Sequence, residues 1–223
     1  MTYKEEFIEF MVLSGVLTFG DFTTKSGRKT PYFINTGNYD TGDQMAKLGR
    51  YYARALHEAL GREFDSLFGP AYKGIPLVVT TGIELAARYS HNVFISFNRK
   101  EIKDHGERGN IIGHMPCEGE RVVIVEDVTT AGTSIKESVP VLKSAADLDI
   151  KALVVSVDRQ ERGATEKSAL DQIQEDFGIR PVSIVTIDEI VSFLHNKEIN
   201  GKVIIDDRMK DMISMYRDKY RAA

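Results

Sequence analysis

RVVIVEDVTTAGTS, residues 121–134, is the stretch whose reading decides the fold. Val122 to Val125 form a short β-branched apolar run, the pattern of a strand buried on both faces. Glu126 and Asp127 follow at once. Carboxylates are too costly to bury unpaired, so they mark the carboxyl end of that strand, where open α/β sheets place their ligand crevice. Thr129, Thr130, Ala131, Gly132, Thr133 and Ser134 then make a run of small residues that opens onto helical apolar spacing from Ile135 to Leu142. Such a loop can cradle a phosphate: its N–H groups point inward, its hydroxyls add donors, and the helix N-terminus adds partial positive charge. Each feature alone is commonly structural, the turn serving as a helix cap. Their conjunction points to chemistry, with the two acids facing the polyol part of a phosphorylated ligand.

Outward from this stretch, the chain is bounded by its length and composition. At 223 residues it fits one large domain, or one domain with a small appendage. Hydrophobic residues at 42% and charged residues at 28% are globular values. No stretch has the apolar length of a membrane span, and Glu5 and Glu6 stand where a signal peptide would need its basic-to-apolar transition. The one cysteine, Cys117, excludes internal disulfides and a thiolate metal cage, so a reducing, cytoplasmic setting is expected. A net charge of −4 argues against wholesale nucleic-acid binding.

Thr2 and Glu5 have capping-box spacing ahead of an apolar stripe at Phe7, Ile8, Met11 and Val12. Phe22 to Asn35 reads as two β-prone runs around a turn punctuated by Gly27 and Pro31. An amphipathic helix runs from Gln44 to Leu60 and closes at Gly61. Ser66 to Phe68 is a short strand, Gly69 to Pro76 a glycine-containing loop, and Leu77 to Tyr89 a helix. Asn92 to Phe97 is a further strand, followed by the cationic segment Asn98 to Asn110, which has almost nothing to bury and reads as a mobile loop or extended hairpin. Ile150 to Val157 and Val182 to Ile187 are strands on either side of a helix marked by Leu170, Ile173 and Phe177, and Met209 to Tyr220 has helical spacing. Strands alternating with helices predict a doubly wound, mostly parallel α/β sheet in a single domain over residues 1–223. Residues 1–61 are expected to form a small N-terminal hood, and residues 62–223 the sheet core with its C-terminal helix.

Three strand ends then meet on one sheet edge: Tyr72-Lys73, the loop from Arg99 to His105, and Glu126 to Ser134. Glu126 and Asp127 suit ribose hydroxyls, and the Thr-rich loop suits a 5-phosphate. Lys73, Arg99, Lys100, Lys103 and His105 suit a pyrophosphate leaving with Mg2+. Four apolar residues, two acids and a Thr-rich turn with Gly resemble the phosphoribosyl pyrophosphate (PRPP) signature of the type I phosphoribosyltransferases. Phe22 to Gly37, Gly69 to Pro76, Asn98 to Gly106, Arg121 to Ser138 and Asp158 to Gly163 together resemble the orotate-using branch of that family.

The resemblance implies a type I fold and transfer of the phosphoribosyl group of PRPP to orotate, with release of pyrophosphate, in pyrimidine biosynthesis. It implies Lys103, His105, Asp127 and Lys73 as catalytic. Tyr72, Lys73, Arg99, Lys100, Lys103, His105 and the run Glu126, Asp127, Val128, Thr129, Thr130, Ala131, Gly132, Thr133 and Ser134 are implied to hold PRPP. Lys25, Phe33, Ile34, Thr130 and Arg159 are implied to hold orotate; many members carry two aromatics where this chain has Phe33 and Ile34. Arg159 also makes independent sense, because a guanidinium pairs bidentately with a carboxylate. Mg2+ is expected as cofactor, held mainly through PRPP rather than by dedicated ligands. A homodimer with loop 99–110 shared across subunits is the implied assembly, with neither nucleic acid nor membrane as partner. Another nucleobase, or a nucleotide-sensing RNA-binding regulator of the same fold, are the competing readings. Neither GxGxxG nor GxxxxGK[ST] occurs, which disfavours dinucleotide enzymes and P-loop NTPases.

Overall fold

The computed structural model describes residues 1–24, 27–100, 110–129, 132–163 and 165–222. It opens with α1 (Tyr3–Leu13), whose Thr2–Glu5 capping box forms as the spacing predicts. A hairpin follows, β1 (Leu17–Thr23) with β2 (Lys29–Ile34), and then the long helix α2 (Gly42–Leu60). Next come β3 (Ser66–Gly69), α3 (Gly74–Tyr89), β4 (Phe94–Asn98), β5 (Ile111–Gly113) and β6 (Arg121–Val125). The chain continues through α4 (Thr133–Ala145), β7 (Asp149–Asp158), α5 (Ala169–Phe177), β8 (Arg180–Thr186) and α6 (Ile187–Leu194). A small hairpin, β9 (Glu198–Ile199) with β10 (Lys202–Val203), precedes the last helix, α7 (Asp207–Tyr220).

Six strands form one sheet in the order β5-β4-β3-β6-β7-β8, parallel except for β5 at its edge. This is the doubly wound α/β sheet that the alternation predicts. β6 lies between β3 and β7, and its four apolar residues are divided between the two faces. Val123 and Val125 join the core on one side, with α2 and α3, while Val122 and Ile124 join the core on the other, with α4 and α5. All four are fully buried, so the continuous apolar run follows from having a helix layer on each face.

The structure adds elements that periodicity did not reveal. β5 is only three residues long and pairs antiparallel with β4, so Asn98 and Ile111 face each other across the two ends of the cationic segment. Helix α3 begins at Gly74 rather than Leu77 because Pro76 sits in the first turn, where no intrahelical N–H is needed. Ile187, expected to end a strand, instead opens α6. There Thr186 and Glu189 form a capping box that switches the period from 2 to 3.6.

Helices α2 and α3 pack at a close crossing. A Cβ built on Gly49 would lie 2.7 Å from the Thr80 backbone, so only glycine permits this approach. Gly49→Val should therefore lower unfolding free energy by about 2–3 kcal/mol through overpacking, measured by urea denaturation. An unchanged midpoint would mean that the two helices separate freely.

Candidate active site

Loop 70–73, which follows β3, is drawn tight by two glycines. A Cβ on Gly69 would meet the Gly74 carbonyl oxygen at 2.3 Å, so the chain reverses with its backbone in contact with itself. This turn delivers Lys73 to the end of β6. Its Nζ donates to Asp127 Oδ2 at 2.8 Å and to Thr36 Oγ1 at 3.0 Å. Thr36, in a 3-10 turn over Thr36–Asn38 just after β2, donates in turn to Asp127 Oδ2 at 2.6 Å.

The backbone of the acid pair is fixed from behind. The fully buried Tyr52 hydroxyl donates to the Glu126 carbonyl at 2.8 Å, and Ser156 Oγ donates to the Asp127 carbonyl at 2.7 Å. The two acids differ in charge state. Burial pushes the Glu126 carboxyl up to about 7, the neighbouring Asp127 charge adding to the effect against a hydrogen bond from Ser134. For Asp127, burial also acts upward but is outweighed by hydrogen bonds from Lys73 and Thr36, so its carboxyl titrates below its usual value.

Past the acids, Gly132 takes a left-handed conformation (φ 68°) at the N-cap of α4, and Thr129 Oγ1 accepts its N–H at 3.0 Å. No side chain among the described residues caps that helix, and no acid lies in its first turn. Its leading N–H groups are thus available to an anion. Thr133 and Ser134 occupy the first turn.

Arg159, just past the end of β7, is largely buried. Its Nε and Nη2 donate to Glu161 at 3.1 and 2.9 Å, and its guanidinium carbon lies 5.2 Å from the Tyr32 ring centre. A cleft of about 720 Å³ joins these parts, with Lys73, Asp127 and Thr129 in the same wall system as Phe33, Ile34 and Arg159.

The structure therefore brings together Lys73, Glu126, Asp127, Val128, Thr129, Gly132, Thr133, Ser134, Phe33, Ile34 and Arg159 at the carboxyl edge of the sheet. Tyr72 is 66% exposed with Lys100 Nζ 5.6 Å from its ring centre, and Arg99 N donates to the Asn110 carbonyl at 2.8 Å. Lys25, Lys103, His105, Thr130 and Ala131 lie outside the described residues. Sequence reasoning passed over Thr36, Arg28, Tyr32 and Glu161, as well as the braces Tyr52 and Ser156. The contacts of Thr36 and Tyr32 cross 91 and 129 positions of sequence, which no local pattern reports.

An acid pair, an uncapped helix N-terminus and a buried guanidinium at one sheet edge are the groups that can hold a phosphorylated sugar and an anionic group. The model of the phosphoribosyl transferase domain matches residues 35–185, most of the chain, which places it among the phosphoribosyltransferases. The orotate phosphoribosyltransferase of Clostridium acetobutylicum is 58% identical, over 98% of this chain and 97% of its own length. That of Lachnoclostridium phytofermentans is 56% identical over the same shares. A crystal structure of the Francisella tularensis orotate phosphoribosyltransferase superposes with a TM-score of 0.82 at 37% identity, covering 97% of this chain and 99% of that one. The chain belongs to the orotate phosphoribosyltransferase family.

The charge state of Glu126 has a measurable consequence. Its folded value near 7 lies above the ordinary 4.5, so the native state keeps a proton that the unfolded chain releases in between. This group's contribution to stability therefore falls as pH rises from about 4.5 to about 7. Glu126→Gln should remove that slope, gaining on the parent chain between pH 5 and pH 8 in denaturant melts. Parallel pH profiles for the two proteins would show that Glu126 is already ionised at pH 5.

Proposed function

We propose that the chain transfers the 5-phosphoribosyl group of PRPP to orotate with the roles of its residues divided along the cleft. The observation that carries this reading is one cleft lined both by Lys73, Asp127, Val128 and Thr129 and by Phe33, Ile34 and the buried Arg159. The α4 N-terminus with Thr129, Thr133 and Ser134 binds the 5-phosphate, and Thr130 and Ala131 complete that loop. Asp127, charged, and Glu126, near its midpoint at neutral pH, hold the ribose hydroxyls, one as acceptor and the other as acceptor or donor. Tyr72, Lys73, Arg99, Lys100, Lys103 and His105 take the pyrophosphate. Arg159 pairs with the orotate carboxylate, aided by Lys25, and Phe33, Ile34 and Thr130 border the base.

In the reaction an orotate nitrogen attacks the anomeric carbon as the bond to pyrophosphate breaks. Positive charge develops on the sugar ring beside Asp127, whose carboxylate lowers the barrier electrostatically. Mg2+, a hard cation, would be held mainly through the oxygens of PRPP, the carboxylates of Glu126 and Asp127 being the hard donors this site could add. When bound, the ion would neutralise charge on the departing pyrophosphate. Residues 1–61 serve as the hood, through the hairpin that carries Phe33 and Ile34. The setting is cytoplasmic and neither nucleic acid nor membrane is a partner; no helix among the described residues is long and apolar enough to cross a membrane.

Asp127→Asn should lower kcat by about a hundredfold or more. Its stability should change by less than about 1 kcal/mol, since the partner Lys73 is largely solvated. Pyrophosphate release with orotate, and thermal melts, read the two quantities. Turnover within a few-fold of the parent would remove Asp127 from the chemistry.

The assembly we assign is a two-fold dimer in which loop 99–110 reaches the partner's site. Lys103→Ala and Asp127→Asn chains, each nearly inactive alone, should on co-refolding recover activity approaching roughly a quarter of the parent value, since random pairing makes half the dimers hybrids with one intact site. Absence of recovery, with exchange verified by a tagged chain, would show that each loop serves its own subunit.

A further inference from the structure

Glu161 is the hub of a buried cluster that the reaction itself does not call upon. Its side chain is 10% exposed. Its carboxylate accepts from Arg159 Nε and Nη2, from Arg28 Nη1 at 3.4 Å, and from the Tyr32 hydroxyl. Two guanidinium groups against one carboxylate leave the cluster with one surplus positive charge, facing the cleft that both arginines line.

Geometry adds a direction to that charge. Glu161 occupies the Nε/Nη2 side of the Arg159 fork, and among the described residues Nη1 takes no hydrogen bond, so the end of the guanidinium is what a ligand can meet. Glu161 is itself held from outside the sheet, by the end of α7. Its backbone bridges Arg221, Arg162 N donates to the Tyr220 carbonyl at 2.9 Å, and Ala222 N donates to the Gln160 carbonyl at 3.0 Å. The Arg28 guanidinium lies 4.5 Å from the Tyr220 ring centre, and Tyr32 meets Tyr216 edge-on at 5.8 Å.

We propose that Glu161 is a positioning residue which, clamped by the C-terminal end of α7, aims Arg159 and so sets affinity for a planar base bearing one carboxylate. The proposal rests on the reading of Arg159 as the orotate-carboxylate partner. Removing Glu161 frees the guanidinium to rotate and leaves two like charges adjacent, while the phosphate loop and acid pair, on other strand ends, are untouched.

The test is steady-state kinetics on Glu161→Gln, Arg159→Ala and the double variant, with KM measured separately for orotate and PRPP. Glu161→Gln should raise the orotate KM about tenfold or more while moving the PRPP KM by less than about twofold. Added to Arg159→Ala, it should change nothing further, because its effect passes through that guanidinium. A chain ending at Lys219 should show the same selective rise, and it carries the test if Glu161→Gln loses PRPP-induced thermal stabilisation. An unchanged orotate KM in Glu161→Gln beside a raised one in Arg159→Ala would overturn the positioning role alone. Equal rises for both substrates, or full additivity in the double variant, would do so too. An unchanged orotate KM in Arg159→Ala would remove the carboxylate reading, and this proposal with it.

Discussion

Two hydroxyls hold the centre of this molecule in place: Tyr52 on the carbonyl of Glu126 and Ser156 on that of Asp127. On the β3 side the ladder of β6 stops at Ile124, and on the β7 side at Val125. Beyond that register the backbone of β7 still reaches both acids, Glu126 N donating to the Val154 carbonyl at 3.0 Å and Ser156 N to the Asp127 carbonyl at 2.8 Å. A buried carbonyl without a donor would be penalised by about 1–3 kcal/mol; the Tyr52 hydroxyl, from α2, supplies the donor to Glu126, and Ser156 Oγ adds a second donor to the Asp127 carbonyl beside Ser156 N. Only with that backbone fixed can two carboxyls stand side by side at the sheet edge, where Lys73 and Thr36 reach one of them.

Much of the fold is legible in the sequence because burial on two faces leaves a mark that local order preserves. Val122 to Val125 could be recognised as an inner strand since a helix layer on each side admits no polar position. The capping box at Thr2 and the left-handed Gly178 after α5 lie within a turn of the elements they bound. β5 escaped because three residues are too few for any period, and α6 because its cap residue completes a strand.

The site divides in the same way. Glu126, Asp127 and the small residues after them are contiguous, so a local pattern could single them out together. Thr36 carries no such signal, since its role exists only once the turn after β2 is folded against β6. Glu161 stands two places from Arg159, yet adjacency alone does not tell a solvated pair from a buried hub. That distinction comes from Tyr32 and Arg28, both supplied by the N-terminal hairpin.

The contact between Lys73 and Asp127 also bears on how a ligand would enter and leave. Lys73 stays largely solvated while it holds Asp127, so the contact is one that a ligand could part. On the roles proposed above, an arriving ligand parts the two groups, taking the ammonium with one of its portions and the carboxylate with another, and its affinity is the difference between new contacts and the old one. On departure the same trade would run backwards, the ion pair re-forming as the fragments separate. In that reading the resting contact competes with bound products and favours their release.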